Sequence, residues 1–252
     1  MLKKVLAPLA MMLALGGTAQ AAGDAVPLNK QSWSFHGLFG TFDRAAAQRG
    51  YQVYKEVCAA CHGLHLVAYR NLQDLGFSEA EVKALAAGYQ VTDGPNDAGE
   101  MFQRPARPSD RFVKPYPNDN AARAVNNGAL PPDLSLIVKA RPDGHNYVFS
   151  LLTGYEKAPA DVQLSDGQYY NKYFPGHKLA MPQPINDGQV TFADGTKATV
   201  EQMSRDVTTF LAWAAEPELE RRHRYGIATI LFLIVATGVF YGAKRRIWAR
   251  VH

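Results

Sequence analysis

The sequence predicts a mainly helical exported domain with long ordered loops, joined to one C-terminal transmembrane helix. Three features point there. The chain opens with the parts of an export signal, and an uncharged apolar run occupies 226–243. Between them, short capped helical stretches alternate with loops rich in proline and glycine.

In chain order, Lys3 and Lys4 give a positive start, an apolar run follows to about Leu15, and Ala19-Gln20-Ala21 offers a cleavage site. That run is too short to stay as a membrane helix. Residues 1–21 are therefore expected to be removed, with the mature chain starting near Ala22. A helix over 44–60 is expected from Tyr51, Tyr54 and Val57 on one face. The next, 78–87, opens with Ser78 and Glu81 at capping-box spacing and stops at Gly88. Shorter helices are expected at 120–127, closed by Gly128, and at 146–153, closed by Gly154. Between them 91–117 reads as one long loop holding Pro95, Pro105, Pro108, Pro115 and Pro117. The segment 187–196 reads as a turn-rich hairpin, with Val190-Thr191-Phe192 between two Asp-Gly pairs. A final helix over 200–215 is capped by Thr199 and Gln202 and ends before Pro217. Its apolar stripe is Val200, Met203, Val207, Phe210, Leu211 and Ala214.

The run 226–243 is just long enough to cross a hydrocarbon core. Arg221, Arg222 and Arg224 precede it, and Lys244, Arg245, Arg246 and Arg250 follow. Tyr225, Tyr241 and Trp248 stand near its ends, where aromatic rings favour the interface. With both flanks basic, charge does not fix orientation; the export signal does. An exported domain at 22–220, an anchor at 221–243 and a cytoplasmic tail at 244–252 are expected, with membrane lipid as a partner.

All 23 acidic residues fall within 24–220, against 18 basic ones, so this part carries a net charge of −5 although the whole chain is +4. A nucleic-acid-binding surface is excluded on that balance. An acidic domain would steer a basic protein partner towards it, and ordinary solubility charge explains the same balance.

The chain has only two cysteines, both in Cys58-Ala59-Ala60-Cys61-His62. C-x-x-C-H is the attachment signature of c-type haem. Two thiols add across the two porphyrin vinyl groups, and the next residue offers an imidazole to the iron. A redox dithiol would want a βαβ context, and a zinc site would need a second pair of ligands. One covalent haem c is expected, with His62 as an axial metal ligand. For the sixth position Met or His is required in an electron carrier. Met203 lies on an apolar stripe, while Met101 sits in the long loop. Met181, between Ala180 and Pro182 in a proline-stiffened loop, is favoured; His177, four residues earlier, is the main rival, ahead of His65 and His145.

Several blocks resemble the cytochrome c1 family: Met101-Phe102-x-Arg104-Pro105, Lys114-Pro115-Tyr116-Pro117-Asn118, NNGALPPDLS from Asn126, and YVFSLLTGY from Tyr147. So do Tyr173-Phe174-Pro175-Gly176, Ala180-Met181-Pro182 and Phe210-Leu211-x-Trp213-Ala214-Ala215-Glu216-Pro217. The blocks run in order over almost the whole mature chain. The resemblance implies a class I cytochrome c core with long insertions, and the haem subunit of the quinol–cytochrome c reductase. It implies Cys58, Cys61, His62 and Met181 as haem residues, Arg141 facing a propionate, and Tyr147 and Asn126 lining the pocket. His177 falls on no family ligand position. Some relatives carry an extra disulfide near the pocket, for which this chain has no cysteines.

The implied function is a one-electron relay from a Rieske iron–sulfur protein to a cytochrome c, beside a cytochrome b, in a dimeric complex of a bacterial inner membrane. By itself such a subunit rearranges no bonds. The rivals are an anchored carrier serving another oxidase or reductase, a haem enzyme or gas sensor with an open iron site, and a subunit whose haem only aids folding.

Overall fold

The computed structural model describes residues 26–249, so the export signal at 1–21 and the end of the tail lie outside it. The described chain is mainly helical. Helix α1 (Arg44–Glu56) begins at Asp43, whose carboxylate accepts from the Ala46 N–H at 3.0 Å. It ends four residues earlier than the pattern suggests. Cys58–Ala60 continues as a short 3₁₀ turn, and a second 3₁₀ segment covers Tyr69–Leu75.

Helix α2 (Glu79–Ala87) has the expected reciprocal cap between Ser78 and Glu81. Helix α3 (Asp119–Val125) is capped by Asn118 rather than starting at 120. Helix α4 (Gly144–Thr153) starts two residues before the expected 146. Gly144 is obligatory there, because a Cβ would fall 1.8 Å from the Val138 carbonyl oxygen. Helix α5 (Val200–Ala215) has the predicted bounds. Thr199 caps it, accepting from the Gln202 N–H at 3.1 Å. The Gln202 side chain does not cap in return; it donates to Asp206, whose carboxylate is buried and needs donors.

The core is the packing of α1 on α5, and α4 packs on α5 as well. Tyr51, Val53 and Tyr54 of α1 meet Val207, Phe210 and Leu211 of α5, and all six are buried. Gly50 permits this approach: a Cβ there would lie 2.0 Å from the Asp206 carbonyl oxygen. Beside it Arg49 donates to the Asp206 carboxylate at 2.7 Å and to Asp194 at 2.8 Å. An N-terminal strap closes α4. Asn29 N–H donates to Ser150 Oγ, and both Gln31 N–H and the Trp33 indole donate to Asn146 Oδ1, each at 2.9 Å.

Two expectations are corrected. The segment 91–117 is not one loop: β1 (Gln90–Asp93) pairs antiparallel with β2 (Phe102–Pro105), and Arg104 bridges Asp93 and Asp110. The segment 187–196 forms no strands. It is a series of turns closed by Gly188 N–H to the Ala198 carbonyl, though Val190 and Phe192 are buried as alternation suggests. A second small ladder pairs β3 (Tyr169–Tyr170) with β4 (Lys178–Leu179).

After Pro217 the chain enters α6 (Leu219–Trp248), a 30-residue helix long and apolar enough to cross a membrane. Its apolar side chains from Ile230 to Tyr241 are exposed, as an anchor requires. The helix includes Arg221, Arg222, Arg224, Lys244, Arg245 and Arg246, while Arg250 lies outside the described residues.

Candidate functional site

The Cys58–His62 motif sits where α1 gives way to the 3₁₀ turn. Backbone N–H groups of Cys61 and His62 both donate to the Cys58 carbonyl, at 3.1 and 2.9 Å. This winding presents two thiols and an imidazole within one turn of chain. Both cysteines are free and half-buried. Burial, reinforced by the neighbouring Cys61, pushes the Cys58 thiol up to about 12, opposite to the depressed value of a reactive redox dithiol.

His62 is fixed from two sides. Its Nδ1 lies 2.7 Å from the Pro132 carbonyl oxygen. A carbonyl only accepts, so Nδ1 carries the proton and Nε2 keeps its lone pair. The Tyr54 hydroxyl of α1 donates to the His62 carbonyl at 3.2 Å. Burial lowers the His62 pKa, favouring the neutral imidazole a metal requires.

The 132–135 segment is clamped against the motif. Leu134 N–H donates to the Gly63 carbonyl at 2.8 Å, and Leu66 N–H to Ser135 Oγ at 3.1 Å. Asp133 accepts from the N–H groups of His65 and Ser135, each at 2.9 Å, and pairs with the His65 ring at 2.8 Å. Burial alone would raise the Asp133 pKa; the bonds from Ser135 and His65 outweigh it and hold it below the usual carboxylate range. A Cβ on Gly63 would meet Asp133 Oδ2 at 2.8 Å, so the close fit needs glycine.

Met181 lies half-buried on another loop. The Tyr155 hydroxyl donates to its carbonyl at 3.1 Å. The β3–β4 ladder ends two residues before it, and buried Asn171 ties this region to α4 by donating to the Leu151 carbonyl at 2.7 Å. The other candidate sulfur and nitrogen atoms sit in different surroundings. Met203 is fully buried in the core and Met101 is 61% exposed. His65 pairs with Asp133, and His145 faces His36 at 3.3 Å. His177 stacks on Tyr170 with ring centroids 5.5 Å apart, its Nδ1 3.3 Å from the Asn171 carbonyl oxygen.

Arg141 is exposed and stacks over the Tyr147 ring at 5.9 Å. Among the described residues its side chain bonds only the Ala140 carbonyl and has no acidic partner, which leaves the guanidinium for an anionic group. Tyr147 is buried, and it adds to the upward shift that burial gives the Tyr155 phenol. Asn126 donates to the Tyr116 hydroxyl at 3.1 Å and to the Ala122 carbonyl at 2.7 Å. Among the described residues no three His, Cys, Asp or Glu side chains gather as a metal-ion cluster. The donor set instead suits a haem: two thiols for vinyl groups, a neutral imidazole, a thioether, and an unpaired cation for a propionate.

The sequence from 33 to 251 matches the model of the Cytochrome C1 family. The chain belongs to the cytochrome c1 family. The cytochrome c1 of Rhodospirillum rubrum is 47% identical over 265 residues, covering 99% of this chain and 97% of its own length. The Bradyrhizobium diazoefficiens protein named cytochrome b/c1 is 52% identical over 256 residues; this chain is covered to 93% but spans only 37% of that protein. The mitochondrial cytochrome c1 haem protein of Saccharomyces cerevisiae is 49% identical over 221 residues, with 87% and 72% covered. As a cytochrome c1 family member, this chain has haem c as its cofactor, and the CxxCH spacing of Cys58, Cys61 and His62 suits it.

Sequence reasoning missed the Pro132 carbonyl, Asp133 and Tyr155 as the groups that hold the motif and the Met181 loop. All three lie inside family-like blocks. A backbone acceptor has no residue-type signal, however, and the partners of Asp133 and Tyr155 are far away in sequence.

Proposed function

We propose that the chain is the haem subunit of a quinol–cytochrome c reductase, passing single electrons from a Rieske iron–sulfur protein to a cytochrome c. In this reading Cys58 and Cys61 would hold the haem through their thiols, and His62 Nε2 and Met181 Sδ would bind its iron. Arg141 balances a propionate, and Tyr147 and Asn126 line the pocket. Bound there, haem c supplies a one-electron iron couple, and a thioether ligand with burial raises its potential.

The chain's own residues supply position and shielding. The Pro132 carbonyl orients His62 and adds electron density to the imidazole through the Nδ1 proton. Tyr155 and the β3–β4 ladder restrain the Met181 loop, so weak thioether ligation costs little ordering entropy. The observation that carries the reading is the His62–Pro132 bond beside two free thiols. The proline-stiffened Ala180-Met181-Pro182 loop, restrained by the Tyr155 bond, supports Met181.

The remaining parts follow the same reading. Cytochrome b and the Rieske protein are the expected neighbours, in a dimeric complex. The export signal puts the haem domain (22–220) in the periplasm of a bacterial inner membrane and the 244–252 tail in the cytoplasm. The Met181→Leu variant tests the site. The reduced variant should bind carbon monoxide at the vacated position while the reduced wild type does not. Carbon monoxide binding by reduced wild type would contradict Met181 ligation. Co-purification of a cytochrome b and a Rieske protein tests the assignment to the complex.

A further inference from the structure

The loop 36–42 ends in an apolar tip that nothing in the chain covers: Leu38 is 58% exposed and Phe39 79%. The tip is a tight turn. Gly40 N–H donates to the Gly37 carbonyl at 3.2 Å, Gly37 adopts φ +83°, and a Cβ on Gly40 would lie 2.4 Å from the Phe35 backbone. On either side Phe35 and Phe42 are buried with ring centroids 5.3 Å apart. Two large apolar side chains are thus held out on a firmly rooted stalk.

Both roots lie where the domain meets its anchor. Phe42 N–H donates to Glu220 Oε1 at 2.8 Å, and Arg44 forms a two-pronged pair with the same carboxylate at 2.8 Å. Glu220 stands in the first turn of α6. At the other root His36 meets His145, which feels the charge of Glu216 at the end of α5. From Glu220 to the start of the apolar run at Gly226, α6 rises about 9 Å. The three residues from Phe42 to Phe39 span at most about 10 Å if extended, and the Phe39 side chain adds to that reach.

We propose that Leu38 and Phe39 dip into the lipid interface beside α6, giving the domain a second, shallow attachment to the bilayer. A lipid surface is the occupant the position favours, because the root of the loop is bonded at Phe42 and Arg44 to Glu220 in the first turn of the anchor helix, six residues before its apolar run begins. Arg224 on the second turn of α6 complements anionic headgroups, while Arg221 and Arg222 are exposed but paired with Glu218 and Glu216. The bonds of Glu220 to Phe42 and Arg44 fix the domain to the first turn of α6, so the domain and its anchor helix would tilt in the bilayer together. A second contact restricts that tilt and sets the height and facing of the domain above the membrane.

The test is spin labelling of the full-length holoprotein in lipid nanodiscs. Single cysteines are introduced by Phe39→Cys and, in a separate chain, Leu38→Cys. Val235→Cys in the anchor and Asp97→Cys on the exposed β1–β2 connection serve as references, and wild type treated alike gives the background. The proposal predicts that labels at 38 and 39 are relaxed more by oxygen than by a water-soluble nickel chelate, as at 235 and unlike 97. Greater relaxation by the nickel chelate, as at 97, would overturn it. Immobilised labels reached by neither agent would also overturn it, pointing to a protein contact instead.

Discussion

His62 Nδ1 and the Pro132 carbonyl oxygen stand 2.7 Å apart, joining two segments that are 70 residues apart in the chain. That contact decides which imidazole nitrogen is free, so it links the fold directly to the chemistry of the site. It persists only while 132–135 stays clamped, and Asp133 is the main clamp.

Replacing Asp133 by Ala strands the His65 and Ser135 N–H groups and the His65 ring. The expected loss is about 2–3 kcal/mol in the holoprotein, since a carboxylate with several bonds is removed. Asp133→Asn retains an acceptor and should lose less. Urea unfolding followed by the haem absorbance checks both.

Gly50→Ala should be more damaging than its size suggests. The added methyl falls 2.0 Å from the Asp206 carbonyl oxygen, and backbone cannot move aside as a side chain could. We expect about 3 kcal/mol of destabilisation from overpacking between α1 and α5. Thermal unfolding of the variant against wild type measures it.

Much of this was legible beforehand for physical reasons. Caps are local, so Ser78 with Glu81 and Thr199 with the Gln202 N–H were readable within four residues. The haem motif is local too. What escaped depends on distant partners. Strand β2 shows no inward alternation, with Phe102 exposed and Arg104 tied to Asp93 and Asp110, and β1 alternates over only four residues, Val91 and Asp93 being half-buried. The 187–196 segment shows the converse: Val190 and Phe192 point inward with no ladder beside them. The preference for Met181 over His177 was also local, resting on the proline-stiffened Ala180-Met181-Pro182 block; the stacking of His177 on Tyr170 was not readable from spacing.

The pair His36–His145 makes stability depend on pH. Burial, then the nearby His36, pushes His145 down to about 4, with Lys139 acting in the same direction and Asp143 and Glu216 opposing. The unfolded chain therefore binds a proton more readily. Its contribution to stability is complete above about 6.5 and declines as the pH falls towards 4. Urea midpoints should drop between pH 7 and pH 5 in wild type, and His145→Asn should flatten that slope.

Residues 24–220 carry 23 acidic against 18 basic residues, a net −5, and should attract a basic cytochrome c. Raising the ionic strength shortens the Debye length from about 10 Å at 0.1 M to about 3 Å at 1 M. Stopped-flow oxidation of the reduced chain by a basic cytochrome c should slow by about tenfold or more over that range. A rate indifferent to salt would remove steering from the account.

The most direct measurement is haem staining after denaturing electrophoresis of the chain matured in a host with full attachment machinery. The account predicts that pigment migrates with the wild-type polypeptide and is lost when Cys58 and Cys61 are both replaced by Ala. Wild-type polypeptide without pigment, or pigment retained by the double variant, would contradict attachment at these two thiols.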